Sequence, residues 1–170
     1  TDWALNRQAN PGYNNFLSYQ NASTDALLFC QRFCDLAEAE GLGLCFLGTT
    51  VYNPQLIIDV LRLPQLVFPV ATITLGWPAE TPKPSDRLPI EAIIHNETYS
   101  LYTPEDIDKH YAYKESLEEN KHFVEINQKE TLAQVFTDIR YTAEANEAMS
   151  LTLAAALRKQ NFLGDITNGY

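Results

Sequence analysis

The chain has 170 residues, about one domain's worth, and 45% of them are hydrophobic, so it can bury a core and is not a disordered polymer. Its net charge is −10, with 12 basic residues against 22 acidic ones, which argues against a nucleic-acid-binding face or attraction to an anionic membrane. Three cysteines, an odd number in a chain of ordinary composition, favour a reducing compartment over a disulfide scaffold, and the cytoplasm is the expected location.

No apolar run reaches the ~18 residues of a spanning helix. The longest, Leu66 to Leu75, is interrupted by Pro69. The first residues, TDWALNRQ, lack an apolar signal-peptide core. Asp2 to Arg7 reads as the end of a strand, and Asn10 to Asn15 as a loop of turn formers.

Ser23, Thr24 and Asp25 offer helix caps, and Ala26, Phe29, Cys30, Phe33, Leu36 and Ala37 then recur at helical spacing. The expectation is a buried amphipathic helix over residues 25 to 40, stopped by Gly41. Cys30 and Cys34 lie one turn apart in it. They read as small apolar filling, because no histidine or further cysteine clusters with them as a metal or redox site requires.

Leu44 to Leu47 is too short an apolar run for a helix and reads as a buried strand. Gly48, Thr49 and Thr50 form the loop after it. Asn53 and Pro54 start a short helix with Leu56, Ile57, Val60 and Leu61 on one face, ending before Pro64. Val67 to Leu75 is rich in β-branched residues and reads as a second strand, ended by Gly76.

Trp77 to Pro89 carries four prolines, and each ring fixes one backbone dihedral, so the loop is stiff. Stiffness serves a side chain that must be held in place, and Arg87 is the candidate. Ile90 to His95 reads as a short helix or an edge strand. Thr103 and Pro104, followed by Glu105 and Asp106, open another helix with acids where its dipole favours them. Glu115 to Lys121 reads as a solvated charged excursion. Thr131 to Tyr141 and a stretch from Met149 to about Gln160 read as two C-terminal helices. No repeat, low-complexity tract or interdomain linker stands out, so the chain reads as one domain.

The chemistry-bearing patterns are few. There is no serine in a glycine elbow, no phosphate-binding P-loop and no metal-ligand spacing, and His95, His110 and His122 lack motif context. Gly41-Leu-Gly43 precedes a strand instead of following one, so it is not a dinucleotide fingerprint. The loop Gly48-Thr49-Thr50 admits two readings. Its backbone donors could meet a flat ligand at close range, or it could be an ordinary strand-to-helix turn. Arg87 could hold a phosphate by a two-pronged hydrogen bond, with Lys83 assisting, or both could be solvated surface cations.

A set of segments resembles one known family. Ala37-Glu38-Ala39-Glu40-Gly41-Leu42-Gly43, Gly48, Asn53-Pro54, Leu75-Gly76-Trp77-Pro78, Arg87-Leu88-Pro89 and His95-Asn96-Glu97-Thr98-Tyr99 look like the FMN-dependent nitroreductases, nearest their larger, NADPH-preferring, oxygen-insensitive branch. Thr131 to Phe162 resembles that branch's final helices. The likeness runs from about residue 2 to 162. It implies an α+β fold, with a mostly antiparallel sheet flanked by helices in an intertwined homodimer.

It also implies FMN as cofactor, NAD(P)H as electron donor and a nitroaromatic or quinone as a small-molecule acceptor, with hydride passing through the flavin in ping-pong fashion. By resemblance Arg87 matches the arginine that holds the FMN phosphate, and Gly48 and Thr49 match the loop near the reactive ring edge. No protein acid or base is implied as catalytic, and the choice between NADH and NADPH stays open. Ser85 stands where the family often has a basic residue, with Lys83 further back. The family's N-terminal segment, with its Arg-x-Ser-x-Arg motif, has no match here, so the chain is expected to be N-terminally incomplete. The alternative reading is a non-catalytic module for ligand binding or dimerisation, with an incomplete flavin site.

Overall fold

A computed structural model describes residues 1–164. They form seven α-helices and one two-stranded antiparallel sheet, an α+β architecture as the sequence implies. The sheet, not a larger one, is all the β-structure among these residues. Two compact units are present: Thr1–Glu80 together with the chain from Glu147 onward, and Thr81–Asn146 between them.

The first unit opens with helix α1, Asp2–Asn6. The strand expected there does not form, because Leu5 and Arg7 donate backbone bonds to Thr1 and Trp3 one turn back. Helix α2 spans Phe16–Ala39 and starts nine residues earlier than its spacing suggested. The cap is Asn15, whose Oδ1 accepts from the Ser18 amide at 2.9 Å. The expected cap residues lie inside the helix instead, and Thr24 Oγ1 donates back to the Gln20 carbonyl. Gly41 follows at φ +82°, a left-handed turn that glycine adopts without strain.

The expected burial of α2 does not hold. Only Ser23, Cys34 and Ala37 are buried, while Leu17, Leu28, Leu36 and Phe29 (72% exposed) face outward. Cys34 is buried and Cys30 half-buried, as free thiols. Burial pushes the Cys34 thiol up from its ordinary value, with Cys30 adding to the effect, which keeps it from being a reactive thiolate.

Strand β1, Gly43–Leu47, pairs antiparallel with β2, Thr72–Gly76, in a register that sets Gly43 against Gly76 and Leu47 against Thr72. Strand β1 is half-buried to exposed, not buried. The second strand is shorter than its apolar run, since Val67 to Ala71 stay irregular around Pro69. Between them lies helix α3, Pro54–Leu61, with Pro54 at its first turn and Arg62 in the left-handed conformation after its end. Ala4, Ile58, Ala156, Leu157 and Phe162 form the apolar interior of this unit, with Tyr19, Phe68 and Phe162 in mutual aromatic contact.

The second unit begins with the proline-rich loop and a 3-10 turn, Ile90–Ala92. Helix α4, Pro104–Ser116, starts on a reciprocal cap in which Thr103 and Asp106 exchange hydrogen bonds. That backbone bond from Thr103, with its hydroxyl, holds the Asp106 carboxyl below the usual range. Helix α5, Glu118–Ile126, replaces the expected solvated excursion. Leu117 breaks the chain between α4 and α5, and Glu118 and Glu119 suit the first turn of the new helix. Lys121 pairs with Glu118 one turn back.

Helix α6, Leu132–Val135, starts on a second reciprocal cap between Thr131 and Gln134. It widens over Phe136–Arg140, where the Tyr141 amide bonds to the Phe136 carbonyl, five residues back. Ala92, Leu132 and the fully buried Val135 are its apolar interior. Helix α7, Ala143–Lys159, runs on into the first unit's sequence. Among the described residues no helix is long and apolar enough to cross a membrane, and no group of three or more metal-ligating side chains occurs.

Candidate functional site

Strand β1 ends where its pairing with β2 stops, and the chain turns at once toward α3. Gly48 and Thr49 occupy that turn in the first unit. Thr50 anchors it: the residue is buried and its Oγ1 donates to the Leu47 carbonyl at 3.1 Å. The Thr49 carbonyl accepts from the Tyr52 amide at 3.0 Å. No hydrogen bond from the amides of Gly48 or Thr49 occurs among the described residues. A side-chain carbon added at Gly48 would meet nothing within 4 Å, so the backbone face there is open. Two neighbouring exposed amides on an anchored turn can donate to an acceptor edge of a planar ligand.

Lys83 and Arg87 belong to the second unit. The Arg87 Nη1 donates to the Ser85 hydroxyl and to the Asp86 carbonyl, the latter at 3.0 Å. Its remaining guanidinium N–H groups make no hydrogen bond among the described residues, which leaves donors for an anion. Asp86 next to it is held by Lys114 of α4 at 2.6 Å. The hydrogen bond from Lys114 sets the Asp86 carboxyl below the usual carboxylate range, against a smaller opposing effect of burial. The loop's rigidity thus has two sources, its prolines and this ion pair.

Arg87 lines a cavity of about 520 Å³ with Pro89, Glu91, Lys109, His110 and Tyr113. Lys83 lines a different cavity, of about 450 Å³, beside Ser85, Asp86, Glu118 and Glu119. The structure therefore separates the two cations that the sequence paired, although Tyr113 borders both cavities. Residues missed by sequence reasoning are Lys109 and His110. His110 is 9% exposed and its Nδ1 is buried without a hydrogen-bond partner among the described residues. Such a nitrogen costs about 1–3 kcal/mol when left unpaired. The only signal for this in the sequence is helical spacing, which sets Lys109 and Tyr113 one turn apart on α4.

Comparisons with known proteins show what the chain resembles. The crystal structure of a Bacteroides fragilis NCTC 9343 protein named as an oxidoreductase superposes with a TM-score of 0.93 at 61% identity, covering 95% of this chain and 66% of that one. An FMN reductase [NAD(P)H] of Bacillus subtilis strain 168 is 40% identical over 84 residues, 49% of this chain and 33% of that protein. An oxygen-insensitive NADPH nitroreductase of Salmonella typhimurium is 35% identical over 75 residues, 44% of this chain and 31% of that protein. No family model matches the chain. The matches span about a third of the length of these curated relatives. By sequence and fold the chain is similar to flavin-dependent reductases of the nitroreductase kind.

A relative's name gives FMN as its ligand. Among the described residues, the open backbone and unbonded amides of Gly48 and Thr49 in the first unit suit a planar acceptor edge, and the unbonded guanidinium donors of Arg87 in the second suit an anion.

Proposed function

We propose that the chain is part of an FMN-dependent NAD(P)H oxidoreductase, acting as a single nitroreductase-like domain. The observation that carries this reading is the open Gly48–Thr49 turn, with two amides that no acceptor among the described residues uses, in a chain 40% identical over 84 residues to an FMN reductase. FMN, when bound, would supply the redox chemistry of a ping-pong hydride transfer between NAD(P)H and a nitroaromatic or quinone-type acceptor. The chain's own residues bind and orient. Gly48 and Thr49 would donate their amides to the edge of the ring system that becomes electron-rich on reduction, which would favour the reduced state. Arg87 would hold the phosphate end, without Lys83, which lines a different cavity.

No side chain is assigned a proton-transfer role, and neither a metal nor nucleic acid takes part. A homodimer is proposed, on the support of the apolar side chains that α2 and α3 leave outward, including Phe29, Leu28, Val60 and Leu61. The cytoplasm is the proposed location.

The test is direct. The protein purified with FMN should be yellow, and NAD(P)H should bleach it without oxygen. A colourless protein that takes up no FMN overturns the reading. A yellow protein that NAD(P)H does not bleach reduces it to flavin binding.

A further inference from the structure

We infer that another cavity of the second unit, walled by α4, by α6 with its widened end and by the 3-10 turn, binds a primary ammonium carried on an apolar or aromatic body, with Glu115 as the counter-charge. The inference is independent of the flavin reading, since neither Gly48 nor Arg87 lines this cavity.

The wall selects first for an apolar body. The cavity measures about 480 Å³, within the ~300–1,000 Å³ of small-molecule sites. Tyr102, Ile107, Tyr111 and Phe136 line it, and each is more than a third exposed. Apolar surface of that kind gains free energy when an occupant takes it out of water. Phe136 and Thr137 come from the stretch where α6 widens, a departure from the regular helix that recurs at functional sites.

Charge selects next. No lysine or arginine lines the cavity, and its one acid is Glu115. Glu115 pairs with no cation among the described residues. Three aromatic rings stand on the same wall, and the face of such a ring attracts a cation. In a chain of net charge −10 these groups favour a cation and disfavour an anion.

Hydrogen bonding narrows the cation to one that carries N–H groups. The Tyr102 hydroxyl is spent on the Ala92 carbonyl, and the Thr137 hydroxyl on the Ala133 carbonyl at 3.1 Å and on the Asp138 carboxylate. His110 differs from them. Its ring lines the cavity and is nine-tenths buried, and its Nδ1 has no hydrogen-bond partner among the described residues. A buried polar group of that kind calls for a partner. A neutral imidazole accepts at one nitrogen, and a carboxylate only accepts. Glu115 and His110 are thus acceptors left over on the wall, and a primary ammonium brings three donors to them.

The test uses one carbon skeleton with three charges: 3-phenylpropylammonium, 3-phenylpropan-1-ol and 3-phenylpropanoate. Each is titrated into the purified protein and followed by calorimetry and by the histidine ring signals in proton NMR. The ammonium should bind saturably, about tenfold tighter than the alcohol, the scale of one charge-assisted hydrogen bond, and should shift the His110 signals. The propanoate should bind most weakly. Glu115 is exposed, so Glu115→Gln and Glu115→Lys should keep the fold, which circular dichroism checks. Glu115→Gln should erase most of the gap between ammonium and alcohol. Glu115→Lys should reverse the order of ammonium and propanoate.

An alcohol that binds the wild type as tightly as the ammonium would show a merely apolar site and overturn the ammonium class. A preference for the ammonium that survives in Glu115→Lys would overturn the role of Glu115 and place the ligand elsewhere. No saturable binding of the ammonium to the wild type removes the site. A change of oligomeric state in Phe136→Asp would in that case show the face to be an interface between copies of the chain. Every readout is direct binding, so these outcomes hold whether or not the protein takes up FMN.

Discussion

The Lys114 ammonium lies 2.6 Å from the Asp86 carboxylate, and this pair ties the loop that carries Arg87 to helix α4. Both groups are partly withdrawn from water, and Asp86 is the residue next to the arginine. The pair is therefore placed to hold the loop that carries Arg87 in one conformation. Lys114→Met should lower FMN affinity several-fold while leaving riboflavin affinity less affected.

The same pair predicts a pH signature. Because Lys114 holds the Asp86 carboxyl below its ordinary value, the stabilisation is present at neutral pH, above the unfolded-state value. It is lost as pH falls through the depressed value of the folded state. The melting temperature of the wild type should exceed that of Lys114→Met near pH 7, and the two should converge in acid. A gap that persists at the lowest pH would show that the lysine acts through packing.

Val135 is fully buried, at the end of α6. Val135→Ala removes two carbons at about 0.8 kcal/mol each and leaves a void, for a loss of about 2 kcal/mol. Urea unfolding should show this as a lower midpoint with an unchanged slope.

Thr131→Ala removes one half of the reciprocal cap with Gln134 at the start of the same helix. The expected cost is about 1 kcal/mol. Thr131→Ser keeps the oxygen that accepts the Gln134 amide and should restore most of it, which separates capping from a general surface effect.

Gly48→Ala separates fold from function. The added carbon meets nothing within 4 Å, and the backbone there lies outside the left-handed region, so stability should change by less than about 0.5 kcal/mol. The same methyl stands on the open face beside the free amides, so FMN affinity should fall. An unchanged affinity would place the flavin elsewhere.

What the sequence made legible was local chemistry. Asn53-Pro54 and Thr103-Pro104 each open a helix where their types demand it, and the glycines at 41 and 76 stop the elements before them. What it hid depended on contacts made over distance or on competing caps. Ser23 to Asp25 look like a helix start, yet Asn15 does that work and they are absorbed into α2. The apolar spacing of α2 implies a buried face, but most of that face has no partner within the described chain. The charge-rich Glu115 to Lys121 segment hid a helix start, because acids at a first turn resemble any solvated run. In the candidate site, Gly48 and Arg87 carried signals of turn and loop chemistry. Lys109 and His110 carried none, since their meeting with Arg87 at one cavity is a property of the folded second unit.

The measurement that bears most directly on the central claim is anaerobic titration of FMN-supplied protein with NAD(P)H, followed by flavin absorbance. The account predicts stoichiometric flavin uptake, bleaching by NAD(P)H and recovery of the yellow colour on adding a quinone. Protein that takes up no FMN, with its fold intact by circular dichroism, would contradict it.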